Sequence, residues 1–318
     1  MKIGFIGSGP IAKFHILALI HNGFKIEAIG TRKDSINCLN LSKEFNIEDK
    51  YCSNGWEEVL DREVDAYCIC SKVDANFSIL EKALEKNLPI FIEKPVVWEI
   101  ELISKLLALP NSDKVFVGYN RRYYETINKI RYLCKDLKGG TIFINIPDSI
   151  PGSKQFIENG CHLINTLQFI IDDFQVLKVV IRKNYKSGDL ESTSAICENE
   201  DWKILINAHS LIPSNFSITI NSSNKVLELK PIEKLSVYEG INIIEPTNES
   251  PIRKYEPSLS FEIYEDTKLK PGFNKMYNHF KRFIKGSKNH NLCNLAEAKR
   301  TLEICYDLLG NKNLKDLF

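Results

Sequence analysis

The fold is decided close to the start of the chain, by the stretch Lys2-Ile3-Gly4-Phe5-Ile6-Gly7-Ser8-Gly9-Pro10-Ile11-Ala12. Its apolar residues up to Ile6 predict a buried strand, and the apolar residues that recur after Ala12 predict a helix. Between them, Gly7 permits a tight turn, and Gly9 lets the backbone approach a pyrophosphate. The helix start, with Pro10 in its first turn, offers unpaired N–H groups to an anion.

This pattern predicts a dinucleotide-binding turn with cofactor contacts from Gly7, Ser8, Gly9, Pro10 and Ile11. The alternative is an ordinary strand-to-helix turn. Repetition favours the nucleotide, because further apolar strands, separated by helices, are predicted at 25–31, 50–52, 64–70, 89–92 and 115–117. Such alternation indicates a parallel sheet covered on both faces. We therefore predict an α/β fold whose first domain, residues 1–118, is a doubly wound Rossmann domain.

Composition restricts the class of protein. The chain has 318 residues, 43% hydrophobic and 26% charged, with a net charge of +1, which is ordinary for a globular protein of two domains. Such a balance predicts no bulk attraction to nucleic acid or to a membrane surface. No stretch approaches the roughly 20 apolar residues of a membrane span.

The nine cysteines are scattered and lack metal-ligand spacing. We expect buried free thiols, no metal site and a reducing cytoplasmic location. The apolar start is interrupted by glycines and by Lys13, so its uncharged core is too short for a signal peptide.

The end of the second strand selects the dinucleotide. An acidic residue about 20 positions past the glycines would bind the ribose hydroxyls of NAD. Here that site is Thr31, followed by Arg32 and Lys33. A hydroxyl and two cations complement a 2′-phosphate, so the sequence favours NADP, with NAD possible. The alternative is a solvated basic turn.

The fifth strand ends in Glu93-Lys94-Pro95. Residues just beyond the carboxyl ends of parallel strands line the ligand crevice. A lysine there, beside a nicotinamide, can exchange a proton with a substrate hydroxyl. On its own, the tripeptide would be read as a surface turn.

An ordered set of motifs resembles the glucose–fructose oxidoreductase/inositol dehydrogenase (Gfo/Idh/MocA) family. It comprises the glycine turn, Ser71, Glu93-Lys94-Pro95, Gly118-Tyr119-Asn120-Arg121-Arg122-Tyr123 and Gly160-Cys161-His162. The resemblance implies an NAD(P)-dependent oxidoreductase with a Rossmann domain and a second α+β domain, residues 119–318, built on a large, mostly antiparallel sheet. It also implies a sugar or nucleotide-linked sugar as substrate and a homo-oligomer formed through that sheet.

The resemblance implies roles for particular residues. Lys94 would be the catalytic lysine, and His162 the histidine opposite it. The implied cofactor contacts beyond the glycine turn are Glu93, Lys94, Ser71, Lys72 and Asn76. The implied substrate contacts are Tyr123 and Asn165.

Three positions depart from the family pattern. The family's frequent Asp-x-Gly-x-His-x-x-Asp reads here Glu158-Asn159-Gly160-Cys161-His162-Leu163-Ile164-Asn165. Asn165 can hydrogen-bond but supplies no charge. A frequent histidine is replaced by Asn76, and a small residue or proline by Lys72.

In the second half, strands are predicted at 141–146, 176–182, 192–197, 202–208, 216–221 and 225–229, and helices at 273–284 and 295–309. The closing helices are expected to pack on the first domain. The segment 245–271 is predicted to be irregular, and His162 to lie at a helix start. Arg121 is a candidate ligand for a substrate phosphate or carboxylate. The remaining histidines are interpreted as structural: His15, His21, His209, His279 and His290.

Two alternatives to a sugar oxidoreductase remain open. The lost carboxylate at Asn165 is compatible with an imine or unsaturated-ring reductase. A protein of a different class, a dinucleotide-binding sensor or assembly subunit without turnover, is disfavoured by the presence of both Lys94 and His162.

Overall fold

A computed structural model describes residues 1–148, 151–287 and 292–310. The chain forms two compact units. The first comprises Met1–Tyr123 and Thr267–Glu303, and the second comprises Tyr124–Asp266 and the residues that follow Glu303. The boundary expected after residue 118 stays a prediction. Among the described residues, no helix is both long enough and apolar enough to cross a membrane.

Helices occur in both units, and in the first unit they alternate with strands. In chain order the helices are α1 (Ala12–His21), α2 (Ile36–Glu44), α3 (Glu57–Leu60), α4 (Val73–Glu85), α5 (Ile100–Leu107), α6 (Glu125–Cys134), α7 (Ser153–Ile171), α8 (Phe273–Ile284) and α9 (Leu295–Leu308). Single turns of 3₁₀ helix occupy Ser112–Lys114 and Asn120–Tyr123.

The sheet of the first unit is parallel throughout, with the order β3-β2-β1-β4-β5-β6. Its strands are β1 (Lys2–Ile6), β2 (Lys25–Gly30), β3 (Asp49–Tyr51), β4 (Ala66–Ile69), β5 (Ile90–Ile92) and β6 (Val115–Val117). β4 and β5 are buried at every residue, which a sheet covered on both faces requires. The predicted Rossmann fold is confirmed.

Helix α8 is part of the core of the first unit, although it lies far along the chain. Its residues Phe273, Met276, Tyr277 and Phe280 are at most 1% exposed and pack in one cluster with the sheet. Burial of four such side chains contributes about 6–12 kcal/mol before entropy is subtracted. Because a whole domain is stable by only about 5–15 kcal/mol, the first unit depends on α8.

The sheet of the second unit has eight strands in the order β14-β13-β12-β11-β7-β10-β9-β8. They are β7 (Gly140–Asp148), β8 (Gln175–Lys183), β9 (Leu190–Glu198), β10 (Trp202–Ser210), β11 (Ser217–Ser222), β12 (Lys225–Leu229), β13 (Lys234–Ile244) and β14 (Lys254–Tyr264). β7 and β10 pair in parallel and the other neighbours antiparallel, so the predicted, mostly antiparallel sheet is confirmed. In β10, Ile204 and Ile206 are buried while Leu205 between them is exposed, as expected for a sheet with one covered face.

Two predictions for the second half of the chain are wrong. The segment 245–271 is not irregular throughout, because β14 pairs with β13 in a long hairpin. Much of that hairpin is exposed on both faces, so its strands lack the alternation that marks a half-buried strand. His162 lies within α7 rather than at a helix start. The polar residues before Gly160 resemble a start signal, but this glycine lies inside the helix against the ring of Phe156.

The expectation of free thiols is wrong for two cysteines. Cys38 in α2 and Cys52 after β3 form a disulfide. The parallel pairing of β2 and β3 brings these two segments together. No local sequence pattern predicts this disulfide. The other seven cysteines are free and buried, as expected.

Candidate dinucleotide and catalytic site

The turn after β1 has an absolute requirement for glycine at its first position. Gly7 has a φ of +124°, and a Cβ there would lie 2.2 Å from the carbonyl oxygen of Cys70, at the end of β4. Its N–H donates to the carbonyl of Gly30, at the end of β2, at 2.8 Å. The turn is thereby fixed between the carboxyl ends of two strands that flank β1.

The second glycine of the turn faces open space. A Cβ on Gly9 would meet no atom within 4 Å. Within the described ranges, the backbone N–H groups of Gly9 and Ile11 donate to no protein acceptor. These donors precede α1, whose amino-terminal end adds a partial positive charge. Free space, unpaired donors and a helix dipole together fit a pyrophosphate.

Ser8 and Pro10 complete the turn. The hydroxyl of Ser8 lies 3.1 Å from that of Ser35, which in turn accepts the N–H of Cys38 as the cap of α2. Pro10 is exposed. The glycine turn is therefore linked to the first turn of α2, on the side where the second strand ends.

The residues predicted to select the dinucleotide follow β2. Thr31 is partly buried, whereas Arg32 and Lys33 are exposed. Asp34 comes next, also exposed, with a left-handed φ of 57°. The two cations thus stand in solvent with a carboxylate beside them in sequence.

Asn76 connects two predicted cofactor-binding segments. It is 2% exposed, accepts a hydrogen bond from the Ser71 hydroxyl at 2.6 Å and donates to the carbonyl of Pro95 at 3.4 Å. The loop after β4 is therefore tied to the segment after β5. Lys72 lies in the same loop, exposed, at the start of α4.

Glu93 and Lys94 follow β5 directly. One carboxylate oxygen of Glu93, Oε2, accepts the backbone N–H of Lys94 at 2.7 Å, and the Lys94–Pro95 peptide bond is cis. Burial by itself would raise the pKa of Glu93, but the hydrogen bond and charge of His15, together with the charge of Lys94, lower it overall. Glu93 is thus a largely buried, ionised carboxylate next to the candidate catalytic lysine.

His15 is the contact that the sequence interpretation missed. Its Nε2 lies 3.0 Å from Oε1 of Glu93, and its Nδ1 lies 2.6 Å from the hydroxyl of Tyr277. His15 was interpreted as structural because it has no motif of its own. Its position three residues after Ala12, on the helix face that packs against the sheet, was the available signal.

Lys270 is a second residue that no pattern indicated. Burial lowers its pKa; the charge of Glu93 opposes this shift, and the charges of Lys94 and Arg121 add to it. Its Nζ lies 5.1 Å from the ring centroid of Phe14. The charges of Lys94, Arg121 and Lys270 therefore act on one another near the Glu93 carboxylate, which follows β5.

Arg122 and Tyr123 are buried in the first unit. Arg122 pairs with Glu297 at 3.1 Å and donates to the carbonyl of Leu292 at 3.1 Å. Tyr123 is 2% exposed, stacked 6.2 Å from Phe116, and burial raises its pKa well above its usual value. The predicted substrate contact of Tyr123 stays a prediction.

His162 and Asn165 belong to the second unit, one helical turn apart in α7. His162 is partly buried, and its carbonyl accepts the hydroxyl of Thr166 at 2.7 Å. Asn165 is fully buried. Their roles opposite Lys94 stay predictions, as does the structural interpretation of the exposed His21; His290 lies outside the described residues.

The fold and the turn define a class: a protein with a dinucleotide-binding Rossmann domain and a second domain on a large antiparallel sheet. Residues 1–120 match the family model of the Gfo/Idh/MocA oxidoreductases, described as an oxidoreductase family with an NAD-binding Rossmann fold. This match agrees with the family that the motifs of the sequence indicated.

Two curated relatives match about half of the chain. An uncharacterized oxidoreductase, YrbE, from Bacillus subtilis is 27% identical over 185 residues, which cover 56% of this chain and 53% of the relative. An inositol 2-dehydrogenase/D-chiro-inositol 3-dehydrogenase from Lacticaseibacillus casei is 24% identical over 186 residues, 54% of each chain. The matched part thus spans about half the length of these relatives.

The likeness in fold extends over nearly the whole chain. A crystal structure of a variant of KijD10, a 3-ketoreductase from Actinomadura kijaniata in complex with TDP-benzene and NADP, aligns with a TM-score of 0.73. It is 13% identical and covers 98% of this chain and 97% of that one. At this identity the likeness concerns the fold.

Proposed function

We propose that this protein is an NAD(P)-dependent oxidoreductase that transfers a hydride between the nicotinamide and a carbon bearing a hydroxyl or carbonyl group. The observation that carries the proposal is the position of Lys94. It follows β5, on the edge of the parallel sheet where the glycine turn follows β1. That edge is where open α/β sheets bind their ligands, so one edge supports both the pyrophosphate turn and a lysine.

The cofactor, when bound, supplies the hydride chemistry, and the chain supplies binding, orientation and proton transfer. Lys94 would hold or release the proton of the substrate hydroxyl at its Nζ. The Glu93 carboxylate fixes the backbone of Lys94 and places a negative charge beside it. His162 would assist by hydrogen bonding from the second unit.

We propose NADP as the preferred cofactor, because Arg32 and Lys33 follow β2 where an NAD-specific protein would carry an acidic residue. The proposed substrate is a sugar or nucleotide-linked sugar. This is supported by the inositol dehydrogenase relative and by the nucleotide-bound structural neighbour. Arg121 would bind an anionic group of that substrate. We propose a cytoplasmic location, because seven of the nine cysteines are buried free thiols, although a disulfide joins the other two.

The test measures turnover of the purified protein on a panel of sugars and nucleotide sugars. The change in nicotinamide absorbance is recorded with NAD and with NADP. Lys94→Ala is expected to lower turnover by about 10²–10⁴-fold with cofactor affinity retained. Lys105→Ala, which removes an exposed lysine of α5, is the matched control. Turnover of an imine, but not of sugars, would favour the reductase alternative. Cofactor binding without any turnover would favour a sensor.

We also propose a homo-oligomer formed through the sheet of the second unit. Its outer face carries a cross-strand row of exposed apolar residues, Ile196, Leu205 and Phe143, beside an open depression of about 580 Å³. Apolar patches of this kind mark interaction surfaces. Leu205→Glu is expected to shift the protein to a smaller species in sedimentation, and an unchanged mass would argue against this surface.

A further inference from the structure

A chain of buried hydrogen bonds in the first unit ends on Glu93. His15 is fully buried in α1, with Nδ1 2.6 Å from the hydroxyl of Tyr277 and Nε2 3.0 Å from Oε1 of Glu93. The other oxygen of Glu93 accepts the backbone N–H of Lys94 at 2.7 Å. At the far end, the sulfur of Cys68 lies 3.4 Å from the Tyr277 oxygen. Residues from α1, β4 and α8 and from the segment after β5 thus form one connected chain.

The carboxylate of Glu93 fixes the direction of the hydrogen bonds that end on it. Because its pKa is lowered, Glu93 is an ionised carboxylate and can only accept, so the Nε2 of His15 carries a hydrogen. Burial raises the pKa of Tyr277 well above its usual value, so its hydroxyl keeps its hydrogen. That hydroxyl donates to Nδ1 of a neutral imidazole and accepts from Nδ1 of a protonated one, so the contact is satisfied in either case.

Two aromatic rings pack against His15. Its ring lies 4.6 Å from that of Phe273 and 5.4 Å from that of Phe91, centroid to centroid. An apolar side chain would fill this space without needing partners. The histidine instead presents one nitrogen to Glu93 and the other to Tyr277, and both contacts would be unsatisfied without it.

We propose that His15, supported by Tyr277, is a positioning residue that fixes Glu93 and thereby the backbone and electrostatic surroundings of Lys94. The effect of His15 on catalysis rests on the proposed function, whereas its effect on Glu93 and Lys94 can be measured without turnover. Without His15, the buried carboxylate loses its main donor and its hold on the Lys94 N–H weakens. Several groups act on the charge of Glu93 or are affected by it: His15 from α1, Lys94, Cys70 directly after β4, Tyr277 from α8, and Lys270.

The experiment measures the reactivity of Lys94 without any substrate. Wild-type protein and variants are labelled with a water-soluble acetylating reagent, and mass spectrometry gives the ratio of acetylation at Lys94 to that at the exposed Lys105 of α5 in the same molecule. In His15→Ala the acetylation ratio is expected to change by at least about threefold. This is the effect expected when a single hydrogen bond at the weak end of the usual range is lost. His15→Gln, which keeps a donor towards Glu93, is expected to restore most of the wild-type ratio.

Two further variants make the result specific. His21→Gln changes an exposed histidine of the same helix and is expected to leave the ratio unchanged. Tyr277→Phe removes one hydroxyl and is expected to shift the ratio in the same direction as His15→Ala, by less. If His15→Ala does not fold, Tyr277→Phe carries the test. A wild-type ratio in every folded variant of His15 and Tyr277 overturns the inference.

Turnover then separates this inference from the proposed function. If the wild-type protein turns over, His15→Ala is expected to lower kcat with little change in KM, and His15→Gln to recover it, a pattern that a general loss of folding would not give. If the wild-type protein shows no turnover on any substrate, the proposed function fails. The acetylation ratio still decides the role of His15.

Discussion

The two ends of the dinucleotide site in the first unit are built differently. At the end near Lys94, Glu93 and Asn76 are buried and hydrogen-bonded to residues from several other segments. At the ribose end, Arg32 and Lys33 are exposed side chains that follow β2. Proton transfer needs a fixed geometry, whereas discrimination between NAD and NADP needs charge, which exposed side chains can supply.

The glycine turn joins these two ends, and Gly7→Ala gives the largest expected effect. The new Cβ would meet the Cys70 carbonyl at 2.2 Å, at a φ that side chains rarely adopt. We expect a loss of more than about 4 kcal/mol or no folded protein, measured by urea unfolding. Gly9→Ala is the matched control: its Cβ enters open space, so the protein should fold, with dinucleotide binding weakened. Equal stability of both variants would contradict the account of this turn.

Asn76→Ala tests how rigid the end near Lys94 is. The change leaves the Ser71 hydroxyl and the Pro95 carbonyl without their partner, at a cost of about 1–3 kcal/mol. Because Pro95 adjoins Lys94, turnover is also expected to fall. Thermal unfolding and activity are compared with Ser78→Ala, an exposed change in the same helix. If Asn76→Ala matches that control in both measurements, the fixed geometry proposed here is not needed.

The charges at the ribose end are tested by changing Arg32 and Lys33 together to alanine. Two exposed cations facing a phosphate contribute roughly 1.4 kcal/mol, so we expect NADP affinity to fall about tenfold. NAD affinity should change little, and stability should stay within experimental error. Titration of each dinucleotide by fluorescence gives both values, with the exposed Lys43→Ala as the control. Equal losses for the two dinucleotides would mean that these residues do not discriminate.

The same contrast explains what the sequence could predict. Local patterns were sufficient for the glycine turn, the parallel strands and the position of Lys94, because each depends on a few consecutive residues. The partners of Glu93 were not predictable, since His15 and Tyr277 meet only after α1 and α8 pack on the same strand. Lys270 and the disulfide between Cys38 and Cys52 have the same origin in non-local contacts.

The smallest expected effect comes from the charge of Glu93 itself. Its folded-state pKa lies below the ordinary 4.5, so its ionised form stabilises the folded state above that pH. This contribution is lost as the pH falls below 4.5 through the folded-state value. The wild-type free energy of unfolding, from urea titrations at a series of pH values, should therefore decline more steeply in acid than that of Glu93→Gln. Glu57→Gln, an exposed change, should leave the wild-type slope intact. Parallel curves for Glu93→Gln and wild type would mean that His15 and Lys94 give the carboxylate no net stabilisation. The contrast between the end near Lys94 and the ribose end would then rest on geometry alone.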